Sequence, residues 1–382
     1  MRLLIILLSF PFLFTVVSAQ TLNKEIWYVG TFGGEDSEGV YVVSFDRHFM
    51  TLELIQTVDD KLNPSFIALH PSNEFLYVAA REGMEDGDEN GSIITYKINS
   101  LTGSLSKINE VSSMGESPCH ISVDPDGDVV FVSNYQGGNV ASYKVREDGG
   151  LHRASSVIQH EGSSVHPERQ QKPHAHSMIS SPDGKFVYAS DLGLDKILIY
   201  EVDDRTGSIE PTRRKSVKSQ PGAGPRHFVF HPTIPVAYSV EELSSTVAKY
   251  SFNARNGSLK ASGRLEMLSP SLPKEGSTAA DIHLSVDGKW LYASNRGQDN
   301  MAIFQVNPLN GDLTNTGHIS TEGSHPRNFC VDSRGEFLYI ANMHSNQISV
   351  FHQDDISGQL EYANESFEIP SPSCVVQLFL GE

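Results

Sequence analysis

A pattern of about fifty residues recurs six times along the chain, and this internal repeat constrains the fold more strongly than any other feature of the sequence. Each copy contains a turn rich in Pro, Asp, Gly or Ser, followed by an apolar strand with alternating side chains. The six copies are HPSNEFLYVAAR (70–81), DPDGDVVFVSNY (124–135), SPDGKFVYASDL (181–192), HPTIPVAYSVEE (231–242), SVDGKWLYASNR (285–296) and DSRGEFLYIANM (332–343). Such a repeat indicates similar units that pack side by side.

Each copy carries three further predicted strands around this motif. In the copy at 231–242, the strand RHFVFH precedes the turn, while TVAKYSF, the polar turn RNGSL and a weaker strand follow. Four strands with period-two patterning and turns between them are typical of a β-propeller blade. Near the N-terminus, IWYVGTF, GVYVVSFD and MTLELIQ match the second to fourth strands, and the C-terminal SCVVQLFL can supply the missing first strand. The sequence therefore predicts an all-β fold, a seven-bladed β-propeller whose last blade is closed by strands from both termini.

Residues 1–19, MRLLIILLSFPFLFTVVSA, have one basic residue before an apolar core and end in small residues. This pattern predicts a secretory signal peptide, with cleavage before Gln20 and export to the periplasm or the extracellular space. A membrane anchor is the alternative, but the apolar run is short for a span and lacks a basic flank. No linker or composition break divides residues 20–382, which we expect to form a single propeller domain without a membrane span.

The formal net charge of the chain is −18. Because nucleic-acid binding requires a basic surface, this charge argues against a nucleic-acid partner. The three cysteines, Cys119, Cys330 and Cys374, are too few and too far apart for a disulfide framework or a zinc site, so we expect buried free thiols. The expected partner is a small molecule, and the mature chain is expected to be a monomer.

One mouth of the central channel should carry a ring of polar side chains. The first two strands of each blade are antiparallel, so the start of the first and the end of the second lie together. In the first strands this position holds Ser65, Cys119, His176, Arg226, Ala280 and Arg327. In the second strands it holds Ala80-Arg81, Asn134-Tyr135, Asp191-Leu192, Glu241-Glu242, Asn295-Arg296 and Asn342-Met343. Because successive strand residues face opposite ways, only one of Glu241 and Glu242 can point into the ring.

The residue types of this ring suggest a reaction at an anionic group. Arginine pairs bind carboxylate or phosphate, or stabilise a developing oxyanion, and a histidine or glutamate beside them can transfer a proton. For any one of these residues, a satisfied structural ion pair is the alternative. His174 and His176 could begin a metal site, but the spacing marks no third ligand. No GxSxG nucleophile motif is present. We therefore predict neither a metal nor another cofactor.

Three segments, GAGPRHFVFHP, AADIHLSVDGKWLYASNR and SHPRNFCVDSRGEFLYIAN, resemble the seven-bladed propeller lactonases. That family includes bacterial propeller-type 6-phosphogluconolactonases and fungal carboxymuconate-cyclising enzymes. The resemblance covers nearly all of the mature chain and implies four catalytic residues: His176, Arg226, Glu242 and Arg296. It favours Glu242 over Glu241 and implies no metal. The neighbouring polar residues of the ring are predicted to bind substrate: Asn134, His174, His227, Asn295 and Arg327.

What the resemblance implies is hydrolysis of a sugar lactone. Either Glu242 or His176 would activate water, while Arg226 and Arg296 would hold an anionic group and stabilise the oxyanion. Two alternatives remain open: a lactonising cyclase of the muconate type, and a secreted propeller that is a non-enzymatic binding scaffold. The segment FVSNYQGGNVASYKV also resembles repeats of surface proteins. Because phosphorylated sugar lactones are scarce outside the cytoplasm, the export signal leaves the natural substrate open.

Overall fold

Seven four-stranded antiparallel sheets arranged around a channel make up the computed structural model, which describes residues 24–33, 37–58, 63–84 and 89–380. The predicted signal peptide lies outside these described residues. Within them, no helix has the length and apolar character needed to cross a membrane. The predicted all-β fold with seven blades is confirmed.

The strands follow one another in chain order. The N-terminal strands are β1 (Lys24–Thr31), β2 (Val40–Asp46) and β3 (Thr51–Val58). Blade 1 contains β4 (Pro64–Leu69), β5 (Phe75–Ala80), β6 (Ser92–Ile98) and β7 (Leu105–Ser112). Blade 2 contains β8 (Pro118–Val123), β9 (Val129–Asn134), β10 (Asn139–Lys144) and β11 (Ser156–Gln159). Blade 3 contains β12 (Ala175–Ser180), β13 (Phe186–Asp191), β14 (Lys196–Asp203) and β15 (Ser208–Lys218).

The remaining blades keep the same plan. Blade 4 contains β16 (Pro225–Phe230), β17 (Val236–Glu241), β18 (Thr246–Asn253) and β19 (Ser258–Glu266). Blade 5 contains β20 (Thr278–Leu284), β21 (Trp290–Arg296), β22 (Asn300–Val306) and β23 (Leu313–Ser320). Blade 6 contains β24 (Pro326–Val331), β25 (Phe337–Asn342), β26 (Gln347–Gln353) and β27 (Leu360–Glu368). The last strand is β28 (Pro372–Phe379), and a 3₁₀ turn at Met343–Ser345 links β25 to β26.

The closing blade joins the two ends of the chain. Its sheet has the order β28-β1-β2-β3, so the C-terminal strand takes the innermost place beside the N-terminal strand, as the sequence predicts. Antiparallel pairing runs from Glu25 opposite Phe379 to Gly30 opposite Cys374. The Trp27 ring packs against Phe45 of its own blade at 4.5 Å between ring centroids, and against the aromatic core of blade 6. This pairing removes the two free sheet edges that an open ring would expose.

Burial explains the strand pattern of the repeat. The second strand of each blade is covered by the neighbouring blade on both faces, so β5, β9, β13, β17, β21 and β25 are buried along their whole length. These strands read as nearly continuous apolar runs, whereas the outer strands, such as β3, are largely exposed. Seven apolar clusters result, each shared by adjacent blades. The three cysteines are free thiols.

A repeated hydrogen bond connects adjacent blades. In five blades, a tyrosine of the second strand donates its hydroxyl to the carbonyl of a glycine in the next blade, in the turn between the third and fourth strands. The pairs are Tyr28–Gly103, Tyr77–Gly149, Tyr188–Gly257, Tyr238–Gly311 and Tyr292–Gly358, at 2.7 to 3.0 Å. Each of these glycines has a positive φ, between 66° and 83°, which explains the glycine in every such turn of the repeat.

Candidate active site

A β-bulge in each first strand points one side chain toward the channel mouth. In blade 4, Pro225 pairs with Glu241 and His227 pairs with Val240, so Arg226 is the extra residue. The same register shift singles out His176 in blade 3 and Arg327 in blade 6. A bulge adds one residue to a strand and redirects its side chain. The recurring bulge therefore explains why polar residues tolerate this position in an otherwise apolar strand.

Strand alternation decides which second-strand residues point into the mouth. Glu242, Arg81, Tyr135 and Arg296 occupy the same repeat position and all line one cavity. The preceding residue of each pair faces the blade interior instead. Glu241 is fully buried there and accepts hydrogen bonds from Arg264 at 2.6 Å and from a threonine hydroxyl. The alternation that separates Glu241 from Glu242 thus applies to the four blades whose second strands contribute to the cavity.

The cavity at this mouth has a volume of about 180 Å³. It is smaller than the sites of roughly 300–1,000 Å³ that hold drug-sized ligands, so its size suits a small molecule. Its lining carries four arginines and, within the described residues, a single carboxylate. The lining residues are Arg81, Cys119, Tyr135, Arg169, His176, Glu242, Arg296 and Arg327.

Glu242 is the centre of the charge cluster. Its Oε1 accepts a bond from Arg169 Nη2 at 2.6 Å, and its Oε2 lies 3.0 Å from Arg296 Nη2 and 3.1 Å from Arg226 Nε. His176 Nε2 is 3.8 Å from the same Oε2. Burial alone would raise the pKa of the Glu242 carboxyl, but the charges of these arginines outweigh burial and hold that pKa far below its ordinary value. The carboxylate is therefore ionised at any physiological pH.

Arg226 lies beneath the cavity and does not line it. Its side chain is 2% exposed, and besides Glu242 its guanidinium donates to the Ala280 carbonyl and contacts His227 Nε2 at 3.2 Å. Burial and the charge of Arg296 lower the pKa of Arg226 to about 10, so it stays protonated at neutral pH. The geometry makes Arg226 a support for Glu242 and leaves it no face for a ligand.

A second polar cluster continues below Arg226, along the channel. His227 Nδ1 lies 2.6 Å from Asp281 Oδ1, and His283 Nε2 lies 3.0 Å from Asp281 Oδ2. Asp281 also accepts a bond from Asn328 Nδ2 at 2.6 Å. Since Arg226 donates to Nε2 of His227, Nδ1 is the atom that carries the proton. Burial and the charge of Arg226 lower the pKa of His227 to about 4, so this imidazole is neutral. His227 thus links Arg226 to Asp281, away from the cavity.

His176 and His174 occupy different environments although they are two residues apart. His176 lies on the cavity wall, and burial, with the charges of Arg226 and Arg327, holds its pKa far below the ordinary value. It is therefore a neutral imidazole. His174 stacks on the Tyr135 ring at 4.5 Å between centroids, and its Nδ1 contacts the Tyr135 carbonyl oxygen at 3.0 Å. His174 thus lies behind Tyr135 and is not part of the cavity lining.

The two asparagines predicted to bind substrate point away from the cavity. Asn134 is fully buried and donates to the Ser113 carbonyl at 2.9 Å, while Asn295 donates to the Met267 carbonyl at 3.1 Å and to Asn300. Both occupy the blade-facing repeat position of Glu241. Of the five predicted substrate-binding residues, Arg327 is therefore the one that lines the cavity.

Arg169 is the cavity residue that the repeat could not reveal. It lies in the long connection between β11 and β12, outside the repeated strands, and its side chain is 38% exposed. Besides its bond to Glu242, it donates to Tyr135 Oη at 3.0 Å. Arg81 and Tyr135 were within reach of the sequence, because they hold the same repeat position as Glu242.

A larger cavity of about 430 Å³ opens at the other end of the inner strands. It is lined mainly by apolar side chains, with His227, Asp281 and His283 on one wall. The smaller cavity is the stronger candidate for an active site, because it combines convergent charged groups with strongly shifted pKa values. Among the described residues, no group of three or more His, Cys, Asp and Glu side chains is arranged to hold a metal ion.

Comparisons with known proteins agree with this architecture. The family model described as "Lactonase, 7-bladed beta-propeller" matches residues 26–377. A 6-phosphogluconolactonase of Bacillus subtilis is 35% identical over 356 residues, covering 93% of this chain and 98% of that protein. The solved structure of the periplasmic gluconolactonase of Pseudomonas aeruginosa has a TM-score of 0.87 and 33% identity, covering 94% of this chain and 99% of that chain. A putative 6-phosphogluconolactonase from Bacteroides fragilis has a TM-score of 0.86 at 30% identity, with 94% and 99% covered. The chain belongs to the lactonase family of seven-bladed β-propellers.

Proposed function

We propose that this protein hydrolyses the ring ester of a small sugar lactone in the cavity around Glu242. The observation that carries this proposal is the convergence of a neutral imidazole, a carboxylate and the guanidinium groups of Arg169 and Arg296 on one small cavity. A scaffold protein has no need of such a set, and structural ion pairs alone would leave fewer unpaired positive groups. The names of the relatives in the lactonase family point to the same reaction class.

The proposed role of Arg296 and Arg169 is to stabilise the oxyanion. Both guanidinium groups line the cavity, and both contact Glu242, which fixes their orientation. When water adds to the lactone carbonyl, negative charge develops on its oxygen. Cationic donors held in place before the reaction stabilise that charge without further reorganisation.

The general base is proposed to be His176 and not Glu242. Both oxygens of the Glu242 carboxylate are already bound by guanidinium groups, which leaves this carboxylate a poor acceptor for a proton from water. His176 is neutral and can accept a proton, and Glu242 Oε2 at 3.8 Å would stabilise the imidazolium that forms. An anionic substrate would further help, because it would offset the arginine charges that lower the pKa of His176.

The proposed reaction proceeds in two steps. His176 takes a proton from water while the water oxygen bonds to the carbonyl carbon, which gives a tetrahedral oxyanion held by Arg296 and Arg169. The oxyanion then re-forms the carbonyl, the bond from that carbon to the ring oxygen breaks, and the imidazolium returns its proton to the ring oxygen. The product is an open-chain hydroxy acid, whose carboxyl proton goes to solvent.

The location of this reaction is proposed to be outside the cytoplasm. Residues 1–19 have the sequence pattern of an export signal, and one structural relative is described as periplasmic. A periplasmic or extracellular enzyme would meet lactones formed by oxidation of free sugars as well as acidic derivatives.

A lactone panel assayed with and without a chelator tests the proposed function. We expect the purified mature chain to accelerate opening of a six-membered sugar lactone by several orders of magnitude over the spontaneous rate, measured as acid release. We expect no loss of rate in EDTA. Heat-denatured protein is the control for spontaneous opening. Absence of hydrolysis across the panel would overturn the proposal, and ring formation from a carboxymuconate in its place would favour the lactonising alternative.

A further inference from the structure

Two arginines at the cavity have no acidic partner among the described residues. Arg81 follows β5 of blade 1, and Arg327 lies in β24 of blade 6. The described arginine ion pairs at this mouth are those of Glu242 with Arg169, Arg226 and Arg296. None of them involves Arg81 or Arg327. Nε of Arg81 is buried without a hydrogen-bond partner in the described part of the chain. Both side chains are partly buried, and a partly buried charge without a counter-charge is costly, which favours a bound anion.

Both arginines make a cation–π contact with the ring of Phe32. The guanidinium carbon of Arg81 lies 4.8 Å from the ring centroid and that of Arg327 lies 4.5 Å from it. Cation–π contacts orient the two side chains, yet the ring has no formal charge with which to balance them. Both positive charges therefore remain available at the cavity.

The positive charges of the arginines around the cavity repel one another. Burial and the nearby charges of Arg226, Arg296 and Arg81 hold the pKa of Arg327 far below its ordinary value. A bound anion would relieve that repulsion. Planar guanidinium groups suit carboxylate and phosphate oxygens, because each can donate two parallel hydrogen bonds.

The two arginines also flank the closing blade. Phe32 comes directly after β1 of that blade, while Arg81 and Arg327 belong to the blades on its two sides. Like charges across this junction oppose closure of the ring. An anion that contacts both guanidinium groups would instead connect blade 6 to blade 1 across the junction of the two termini.

We propose that Arg81 and Arg327 form an anion subsite across the closing blade, which holds the phosphate or carboxylate of an acidic sugar lactone. The identity of the ligand rests on the proposed lactone hydrolysis at Glu242, whereas anion binding rests on the two arginines themselves. The lactone carbonyl would lie at Arg296 and His176, and the acidic group would lie on the side of Phe32. The subsite selects acidic lactones over neutral ones and stabilises the closed ring.

The kinetic test compares three substrates: gluconolactone, its 6-phosphorylated form, and a glucaric acid lactone that carries a carboxylate. For Arg81→Gln and Arg327→Gln we expect kcat/KM to fall about 10- to 100-fold on the acidic lactone that the subsite accepts, mainly through KM. The loss on gluconolactone, which has no acidic group for the subsite to hold, should be clearly smaller than the loss on the acidic lactone. Comparison of the phosphorylated and carboxylated arms identifies the group bound. The matched control is Arg205→Gln, because the Arg205 side chain is 83% exposed in an outer turn.

A binding test with inorganic phosphate separates the subsite from the reaction. At equal ionic strength, replacing chloride by phosphate should raise the Tm of the wild type and of Arg205→Gln, and should leave the Tm of an Arg81→Gln/Arg327→Gln double variant unchanged. An equal phosphate effect in all three proteins, or equal kinetic losses on acidic and neutral lactones, would overturn the subsite. If the wild type opens no lactone yet shows the arginine-dependent shift, the proposed function fails and the subsite stands.

Discussion

At the scale of single residues, the candidate site is organised by one buried carboxylate. Glu242 contacts three guanidinium groups and lies 3.8 Å from His176. Removing one partner of such a buried cluster leaves uncompensated charge, which costs about 3–5 kcal/mol. Glu242 therefore serves first to position the arginines, and Arg226, which is fully enclosed, serves to position Glu242.

The polar cluster below Arg226, which contains His227 and Asp281, predicts a specific pH dependence of the free energy of unfolding. The pKa of His227 is about 4 in the folded protein, below the ordinary value of 6.5. Between these values the unfolded chain binds the proton and the folded chain does not. Stability is therefore lost as the pH falls from about 6.5 to about 4, by about 3 kcal/mol at most for this residue.

Urea unfolding of His227→Gln at pH 4.5 and pH 7 measures this contribution. Glutamine can accept a bond from Arg226 and donate one to Asp281, so the variant should fold. We expect the difference in unfolding free energy between the two pH values to be smaller than in the wild type. His152→Gln, at an exposed position, should behave like the wild type. Equal pH dependence in all three proteins would show that His227 is not held neutral.

At the scale of strands and turns, the sequence predicted most of the architecture. The repeat locates the strands because period-two burial and turn residues are local properties of the chain. It also locates the mouth ring through strand direction. The connection that carries Arg169 lies outside the repeated strands and is longer than the corresponding connections of the other blades, so no comparison between copies could identify that residue. The burial of Arg226 depends on side-chain packing between blades, which strand patterning does not describe.

The blade-to-blade tyrosine–glycine contact gives a prediction at this scale. A Cβ added to Gly358 would lie 2.0 Å from Trp290 Cδ2, and the residue has φ of 66°. Gly276 has a similar φ of 76° but no atom within 4 Å of its added Cβ. Gly276→Ala should therefore cost about 1 kcal/mol from backbone conformation alone, whereas Gly358→Ala should cost about 3 kcal/mol or more.

Equilibrium unfolding of the two alanine variants separates packing from backbone strain. The free energy of unfolding should fall clearly further in Gly358→Ala than in Gly276→Ala. Losses of the same size would mean that the close approach of the Gly358 turn to blade 5 does not contribute to blade packing.

At the scale of the whole molecule, the closing blade and a local cluster of positive charge meet at the channel mouth that holds the candidate active site. The match of N-terminal and C-terminal segments to one blade predicted the closure, and pairing of β28 with β1 confirms it. The net charge of −18 belongs to the molecule as a whole, while five arginines surround a single described carboxylate at the cavity. Because salt screens exposed charges beyond about 8–10 Å, the local arginines and not the acidic exterior control binding of an anion.

The proposed lactone opening takes place at the cavity between His176 and Arg296. The most direct test is kcat/KM for lactone opening by His176→Gln and Arg296→Gln, in proteins whose circular dichroism matches the wild type. Loss of the base should lower kcat/KM by about 10²- to 10⁴-fold, and loss of the oxyanion donor by about 10²- to 10³-fold. If both folded variants keep nearly the wild-type kcat/KM, the reaction takes place elsewhere on the molecule.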